Sequence, residues 1–414
     1  MRELLILCDQ FPPAFGPRMG YLCKYLKGSG WRPVVVTEHL PDHMFTFLTG
    51  FAEVTEVRYY KTKRKWLKRL EWLLVFILEI LCDYKNRKMA KAALRLVPSH
   101  SFELILCSTY RTFPLPAAQK VASKTGLPLI IDLRDIIEQY TGNEFIAHPL
   151  PKLFGLERLI ARLFRAKNLH SRNKALRAAD RITTVSPWHV EMLKPYNPNV
   201  NLIYNGYDPE LFFPESIKTE QFLLTYTGRI LSTAMRNPEL LFEAVAQLSK
   251  EETISPLTFR IRWYVDVASR QIIEQESKQY DIREYMDFFG YVPASEIPEI
   301  LNQSSMLLIL TNKAVGDGPK GIMTTKFFES LAVAKPILCV RGDEGCLEEA
   351  IQEARAGLSA HRTEEVVPFI RHFYEQWRKT GETRMPVDHE VVQSYSRKNQ
   401  AEQFIRIFNE LTHS

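Results

Sequence analysis

What this 414-residue sequence lacks narrows it quickly. It has six cysteines and no C-x-x-C pair, so neither a zinc ribbon nor a dithiol redox motif is expected. Cys8, Cys107 and Cys339 lie in apolar strand-like runs, where a free thiol behaves as a small hydrophobe. Reduced cysteines of this kind are expected in the cytoplasm. Asp-x-Asp is absent, and with it the usual acidic clamp for a divalent metal. H-E-x-x-H, G-x-x-x-x-G-K-[ST] and G-x-S-x-G are absent too, which excludes zincin, P-loop and nucleophile-elbow chemistry. His170 and His189 have no metal-ligand spacing and read as surface or capping residues. No apolar run approaches the roughly 20 residues of a membrane span. MRELLILCDQFPP is too short in its apolar part for a signal peptide. There is no repeat, no low-complexity tract, and no interleaving of basic and aromatic residues of the kind that binds nucleic acid.

What is present is a globular composition, 45% apolar and 25% charged, on a chain long enough for two domains. Short apolar runs alternate with helical patterns. In the first half they are ELLILC (3–8), RPVVVTE (32–38), FELILCS (102–108), LPLIIDL (127–133) and DRITTVS (180–186). In the second half they are FLLTYTG (222–228), FRIRWYV (259–265), MDFFGYV (286–292), SMLLILT (305–311) and KPILCV (335–340). Near-continuous runs of Ile, Leu and Val suit parallel strands covered on both faces, hence an α/β doubly wound class. Two series imply two Rossmann-like domains. The expected division is 1–204, 205–385, and a helical segment at 386–414 crossing back to brace the first domain. The boundary is marked by the Asn205–Gly206 turn signal, Pro209 and Pro214.

The net charge of +6 is concentrated. KTKRKWLKRL (61–70) is dense in basic residues, and an apolar stretch lies between Glu71 and Glu79. Residues 61–82 therefore read either as an in-plane helix on an anionic bilayer or as a domain helix with a solvated basic end.

Open α/β sheets bind ligands at the carboxyl ends of their strands, which singles out four loops. In CDQFPPAFGPRMGYLCKYL, Gly16 and Gly20 bracket Arg18 before a helix, and amides there favour an anion. In GRILSTAMRNPELLFEAV, Arg229 follows a strand and Arg236 precedes a helix, with Asn237 as expected N-cap and Pro238 at the first helical position. Two arginines so placed suit a diphosphate. The third loop contains GDGPKG (316–321), a formal G-x-G-x-x-G with Asp343 downstream, but residues 312–315 separate it from its strand and Pro319 interrupts it. Helix-start amides at Thr324 and Thr325, with Lys326 as cation, suit phosphate better. Glu329, one turn on, can accept ribose hydroxyls. The fourth joins STYRTF (108–113) to IIDLRDIIEQY (130–140), where Asp132 and Asp135 flank Arg134 as either a site or a salt-bridge cluster.

Together, FPPAFGPRM, SPWHVEMLKPY with LIYNGYDPELFFP, YTGRI, FFGYVPASEIPEILNQSSMLLIL and KFFESLAVAKPILCV resemble the GT-B retaining glycosyltransferases of the family-four type. DLRD looks like a bacterial cell-surface polysaccharide subgroup. The resemblance spans nearly the whole chain and implies two Rossmann-like domains facing a central cleft. It implies a bacterial hexosyltransferase moving a sugar from a nucleotide diphosphate sugar to a glycan or lipid-linked acceptor, without a metal or other cofactor. The location implied is cytoplasmic, with peripheral contact on the inner face of the membrane through residues 61–82. By position, Arg229 and Arg236 would hold the donor diphosphate, Glu329 its ribose, and Tyr291 and Val292 its base. Gly16 matches the first glycine of the N-terminal loop, where Pro17 stands in place of the second. Asp135, Arg229 and Lys326 are the implied catalytic residues. The family's E-x7-E motif is incomplete: Gly321 stands where the first glutamate belongs, with Lys326 as in a variant subgroup and Asp317 as a weaker substitute. The rival readings are a GT-B nucleotide-sugar epimerase, which needs no acceptor, and a non-catalytic donor-binding or scaffolding homologue.

Overall fold

The structure is a computed structural model that describes residues 1–414 except 63, 140–154, 231, 234–235, 312–320 and 413–414; the side chains of residues 65 and 139 are likewise outside the described set. The chain divides into two compact units, Met1–Tyr204 with Gln400–Ser414, and Asn205–Asn399.

The first unit holds a seven-stranded, all-parallel sheet. Its strands are β1 (Arg2–Cys8), β2 (Trp31–Glu38), β3 (Glu53–Val57), β4 (Phe102–Thr109), β5 (Leu129–Leu133), β6 (Arg181–Thr184) and β7 (Val200–Leu202), in the order β3-β2-β1-β4-β5-β6-β7. Successive residues of a strand face opposite sides, so the run Leu4–Cys8 feeds two cores at once. Leu5, Leu7, Ile105, Cys107 and Ile131 pack with Met89, Ala93, Ala118 and Leu176. Leu4, Ile6, Cys8, Leu106 and Ile130 pack with Met19, Leu22, Phe404 and Phe408. The helices are α1 (Pro17–Leu26), α2 (Lys65–Cys82), α3 (Tyr84–Leu96), α4 (Leu115–Thr125), α5 (Leu156–Ala178) and α6 (Pro187–Leu193). The first sheet therefore has helices on both faces, as near-continuous apolar strands require.

The second unit repeats the scheme with β8 (Phe222–Thr227), β9 (Phe259–Tyr264), β10 (Met286–Phe289), β11 (Met306–Leu310), β12 (Ile337–Val340) and β13 (Gly357–Ala360), in the order β10-β9-β8-β11-β12-β13, again all parallel. Its helices are α7 (Glu239–Lys250), α8 (Val267–Ser277), α9 (Ile297–Asn302), α10 (Thr325–Ala332), α11 (Cys346–Glu353), α12 (Thr363–Thr380) and α13 (His389–Ser394). The last helix, α14 (Arg397–Thr412), starts in the second unit and returns to the first at Gln400, where Ala401, Phe404, Ile407 and Phe408 close one face of the first sheet.

Each sheet reverses its strand order once, between β1 and β4 and between β8 and β11. At such a switch point the loops leave in opposite directions and open a crevice at the carboxyl edge. Among the described residues, no helix is long and apolar enough to cross a membrane.

Candidate functional site

The crevice of the second unit collects charge of one sign. β8 ends in Thr227, and Gly228 turns the chain at φ 135°. A Cβ on Gly228 would lie 1.6 Å from Lys326 Nζ, so the missing side chain is what lets Lys326 lie across the strand end. Lys326 Nζ sits 5.2 Å from the centre of the Tyr226 ring, one strand residue pair back. The Arg229 carbonyl accepts from Tyr226 Oη at 3.0 Å and from the Arg236 guanidinium. Arg229 itself pairs with Asp266 at 3.4 Å but leaves 63% of its side-chain surface exposed.

Lys326 lies in the first turn of α10, behind the N-cap Thr324, whose side chain makes no capping bond. Burial lowers the Lys326 pKa to about 7, and the charges of Arg236 and Arg229 push it the same way against the opposing pull of Glu329. Burial raises Glu329 to about 7 against Arg397 and Lys326. Arg397 is held near by backbone bonds between its segment and the NGYD loop, Tyr207 N–H to the Tyr395 carbonyl at 3.3 Å and Arg397 N–H to the Tyr207 carbonyl at 2.8 Å. Tyr395 also packs on Phe327 and Phe328 of α10, at 6.1 and 5.1 Å between ring centres. Two arginines, a lysine whose charge they depress, a helix start and a half-neutral carboxyl make a site short of negative charge.

That geometry makes Gly228→Ala informative. An alanine at positive φ is strained by more than about 1 kcal/mol, and its methyl must displace Lys326. We expect a lower melting temperature of the second unit and roughly tenfold weaker binding of inorganic diphosphate. Unchanged affinity in calorimetric titration would remove Lys326 from the site.

The remaining residues of this unit sit as follows. Thr325 opens α10, and Tyr291 and Val292 follow β10 at the same carboxyl edge, Tyr291 well exposed. Asn237 does not start α7 as its N-cap; the cap is Pro238, whose carbonyl accepts from Leu241 and Phe242. Asn237 Oδ1 accepts from Glu239 N–H at 2.9 Å, the i+2 bond of a capping side chain made from one position before the cap. Gly321 is buried with φ 67°, a conformation that disfavours the glutamate expected at that position. Asp317 and most of GDGPKG lie outside the described residues.

In the first unit the crevice loops resolve differently. Arg18 is expected at a ligand; instead its side chain is 3% exposed and forks onto the fully buried Asp132 of β5, Nε to Oδ2 at 3.0 Å and Nη2 to Oδ1 at 2.9 Å. It donates further to the Ile203 and Tyr204 carbonyls at 2.9 and 2.8 Å. Ser108 and Thr183 complete the Asp132 shell at 2.7 and 2.8 Å. Asp132 and Arg18 therefore tie α1 to β4, β5 and β6, and Arg18 is a structural residue. Gly16 caps α1 where a Cβ would meet the Gln10 carbonyl oxygen at 2.6 Å, so its bareness serves the fold of its own loop. Arg134 turns to Asp9 at 2.5 Å. Burial raises both Asp9 and Asp135 to about 6, opposed in each case by Arg134. Asp9, directly after β1, was not singled out in the sequence. His189 is not a surface residue: it is buried, within 3.1 Å of Thr184 Oγ1, and burial lowers its pKa to about 4. His170 is exposed.

The structure thus brings Arg229, Arg236, Thr324, Thr325, Lys326 and Glu329 to one edge of the second sheet, and keeps Asp135 and Gly16 in the first unit. Tyr226, Gly228, Asp266 and Arg397 join the former group. Only the Gly–Arg pair within YTGRI signals any of them in the sequence.

Residues 208–380 match the family model for glycosyl transferases group 1, less than half of the chain but nearly all of the second unit. No curated protein sequence matches. Among solved structures, the chain is similar over 100% of its length and 100% of theirs to sucrose-phosphate synthase from Thermosynechococcus elongatus (TM-score 0.64, 14% identity). It is similar over 99% to all of the Anabaena protein HepE, solved in complex with UDP (TM-score 0.65, 14% identity). It is also similar to the lipopolysaccharide outer core galactosyltransferase WaaB, over 99% of both chains (TM-score 0.56, 12% identity). The chain has the GT-B fold, and its residues 208–380 match the family model for glycosyl transferases group 1.

Proposed function

We propose that this protein is a retaining glycosyltransferase that moves a hexose-type sugar from a nucleotide diphosphate sugar to the hydroxyl of a lipid-linked or polysaccharide acceptor in cell-surface glycan synthesis. One observation carries the reading: Arg229, Arg236 and Lys326 converge at the switch point of the second sheet beside the buried Glu329. In transfer, the bond from the anomeric carbon to the β-phosphate oxygen breaks and a bond to the acceptor oxygen forms. Negative charge grows on the leaving diphosphate, where the three cations and the α10 amides act without a metal. The acceptor proton passes to the leaving phosphate. Glu329, as carboxylate, accepts the ribose hydroxyls, and Asp135, poised near pH 6, orients the acceptor or helps take its proton. Tyr291 and Val292 would flank the base. The exposed apolar side of α2 and its basic start fit a cytoplasmic protein resting on an anionic membrane face.

Purified protein incubated with a panel of nucleotide sugars and membrane lipid extract should yield a glycosylated lipid. Arg229→Ala should lose that product almost entirely. Transfer at the wild-type rate in Arg229→Ala would sink the donor-site assignment. Donor conversion without any acceptor would favour the epimerase reading.

A further inference from the structure

Two cations act on Glu329, and they come from different places. Lys326 precedes it by one turn on α10. Arg397 is the first residue of α14, far downstream in the sequence. Backbone bonds bring Arg397 there. Tyr207 of the NGYD loop and Ser396 form an isolated parallel bridge. Tyr207 N–H donates to the Tyr395 carbonyl at 3.3 Å on one side of it, and Arg397 N–H to the Tyr207 carbonyl at 2.8 Å on the other. Arg397 Nη1 reaches Asn205 Oδ1 in the same loop at 3.5 Å. The Tyr395 ring packs at 5.1 Å on Phe328, the residue directly before Glu329. A backbone bridge and an aromatic contact, neither of them charged, therefore set Arg397 against α10.

Arg397 is 3% exposed, whereas Glu329 keeps part of its surface open. The guanidinium thus stands behind the carboxyl and not in the path of a ligand. A guanidinium so deeply placed is costly unless a negative charge answers it.

The two cations also differ in constancy. Burial and the charges of Arg236 and Arg229 bring Lys326 to about 7, so near neutrality it is charged only part of the time. A guanidinium keeps its charge throughout the range in which proteins fold. Of the two, Arg397 pulls harder on Glu329 against the effect of burial. A carboxyl group accepts freely through both oxygens only when ionised. A lysine that turns to a phosphate is drawn away from that task, and an arginine behind the carboxylate is not.

We propose that Arg397 is a positioning residue of the donor site: it is the permanent counter-charge that holds the Glu329 carboxylate ready for the ribose hydroxyls and leaves Lys326 to the diphosphate. This role rests on the donor-site reading above.

The test is calorimetric titration of the full chain with UDP, CDP, ADP and GDP, with their 2′-deoxy counterparts, and with inorganic diphosphate, between pH 6 and 9. For the base that binds most tightly, the wild type should prefer the ribo form by roughly tenfold or more at pH 8. Protonation of Glu329 removes the acceptor, so this preference should fall as pH drops through about 7. The ratio of the two affinities cancels the titration of Lys326, which meets the diphosphate of both forms. In Arg397→Met the midpoint of the ratio should rise by roughly one to three pH units, leaving about a threefold preference or less at pH 7.5. Affinity for inorganic diphosphate should stay within about threefold of the wild type. Arg397→Lys, which restores a charge, should restore most of the midpoint; a purely structural arginine would not tie ribose preference to pH in this way. If Arg397→Met does not fold, Arg397→Gln takes its place with the same expected shift. A midpoint unmoved in the neutral variant, a midpoint moved as far in Arg397→Lys, or a wild type that binds ribo and deoxy forms alike would each overturn the proposal. In all three cases diphosphate binding leaves the donor-site assignment standing. A wild type that binds neither the nucleoside diphosphates nor inorganic diphosphate sinks that assignment, and the role of Arg397 with it.

Discussion

Lys326→Met should lower kcat for sugar transfer by roughly 100- to 1,000-fold, the usual cost of removing one fixed charge from a developing oxyanion, and should leave the melting temperature nearly unchanged. The asymmetry follows from the site. In the empty protein, burial and the charges of Arg236 and Arg229 bring Lys326 to about 7, so its ammonium is not a large stabiliser of the fold. On the proposed assignment, a leaving diphosphate would meet the same charge with little water between them. Met keeps the stem that packs near Tyr226 and removes only the charge. A full kcat in Lys326→Met with a soluble acceptor would show that the lysine takes no part in the transition state.

The same pKa makes donor binding a proton-linked event. Above about pH 7 the empty site holds Lys326 increasingly neutral, and a diphosphate must draw a proton back onto it. Binding of UDP should therefore take up protons at pH 8 and weaken as pH rises, by at most about tenfold per unit for one proton. Glu329, raised to about 7, works in the opposite sense. Below that value it is protonated, and in the proposed role it would have to release its proton to accept two ribose hydroxyls. Titrations in buffers of different ionisation enthalpy should show uptake at pH 8, abolished in Lys326→Met, and release at pH 6, abolished in Glu329→Gln. Equal heats in all buffers at both values would refute the linkage.

How far the sequence reveals all this depends on where each residue's partner lies along the chain. Leu4–Cys8 or Met306–Leu310 announce themselves because a parallel strand buried on both faces must be apolar at every position. The edge strands β3, β7 and β13 do not: Glu53–Val57, Val200–Leu202 and Gly357–Ala360 are short and partly exposed, so no apolar run marks them. Lys326 and Glu329 are three apart on one helix, and helix geometry alone places them on one face. Gly228 is different. Nothing local shows that its missing side chain makes room for a lysine nearly a hundred positions later. Arg18 shows the converse error. A glycine-bracketed arginine before a helix reads the same whether it greets an anion or a buried aspartate 114 residues away.

That distinction has the largest consequence for stability. Arg18→Met should destabilise the first unit by about 3–5 kcal/mol, because it strands a carboxylate inside the protein instead of removing a pair. Burial pushes Asp132 upward, but the charge and hydrogen bonds of Arg18, with those of Ser108 and Thr183, outweigh it and hold the carboxyl below its ordinary value. A depressed carboxyl contributes stability that is present above the unfolded pKa and is lost as pH falls through the folded one. The wild-type first unit should therefore lose part of its stability only in acid, while Arg18→Met loses it at neutral pH. Asp132→Asn in the Arg18→Met background should recover part of the loss: it removes the charge, but cannot accept from Ser108 and Thr183 as the carboxylate does. In thermal melts the single variant should unfold roughly 10 °C earlier, with the UDP affinity of the remaining folded protein unchanged, because the cations of the second unit are untouched. A variant that melts like the wild type yet binds UDP more weakly would return Arg18 to the donor site, where its place before a helix first suggested it.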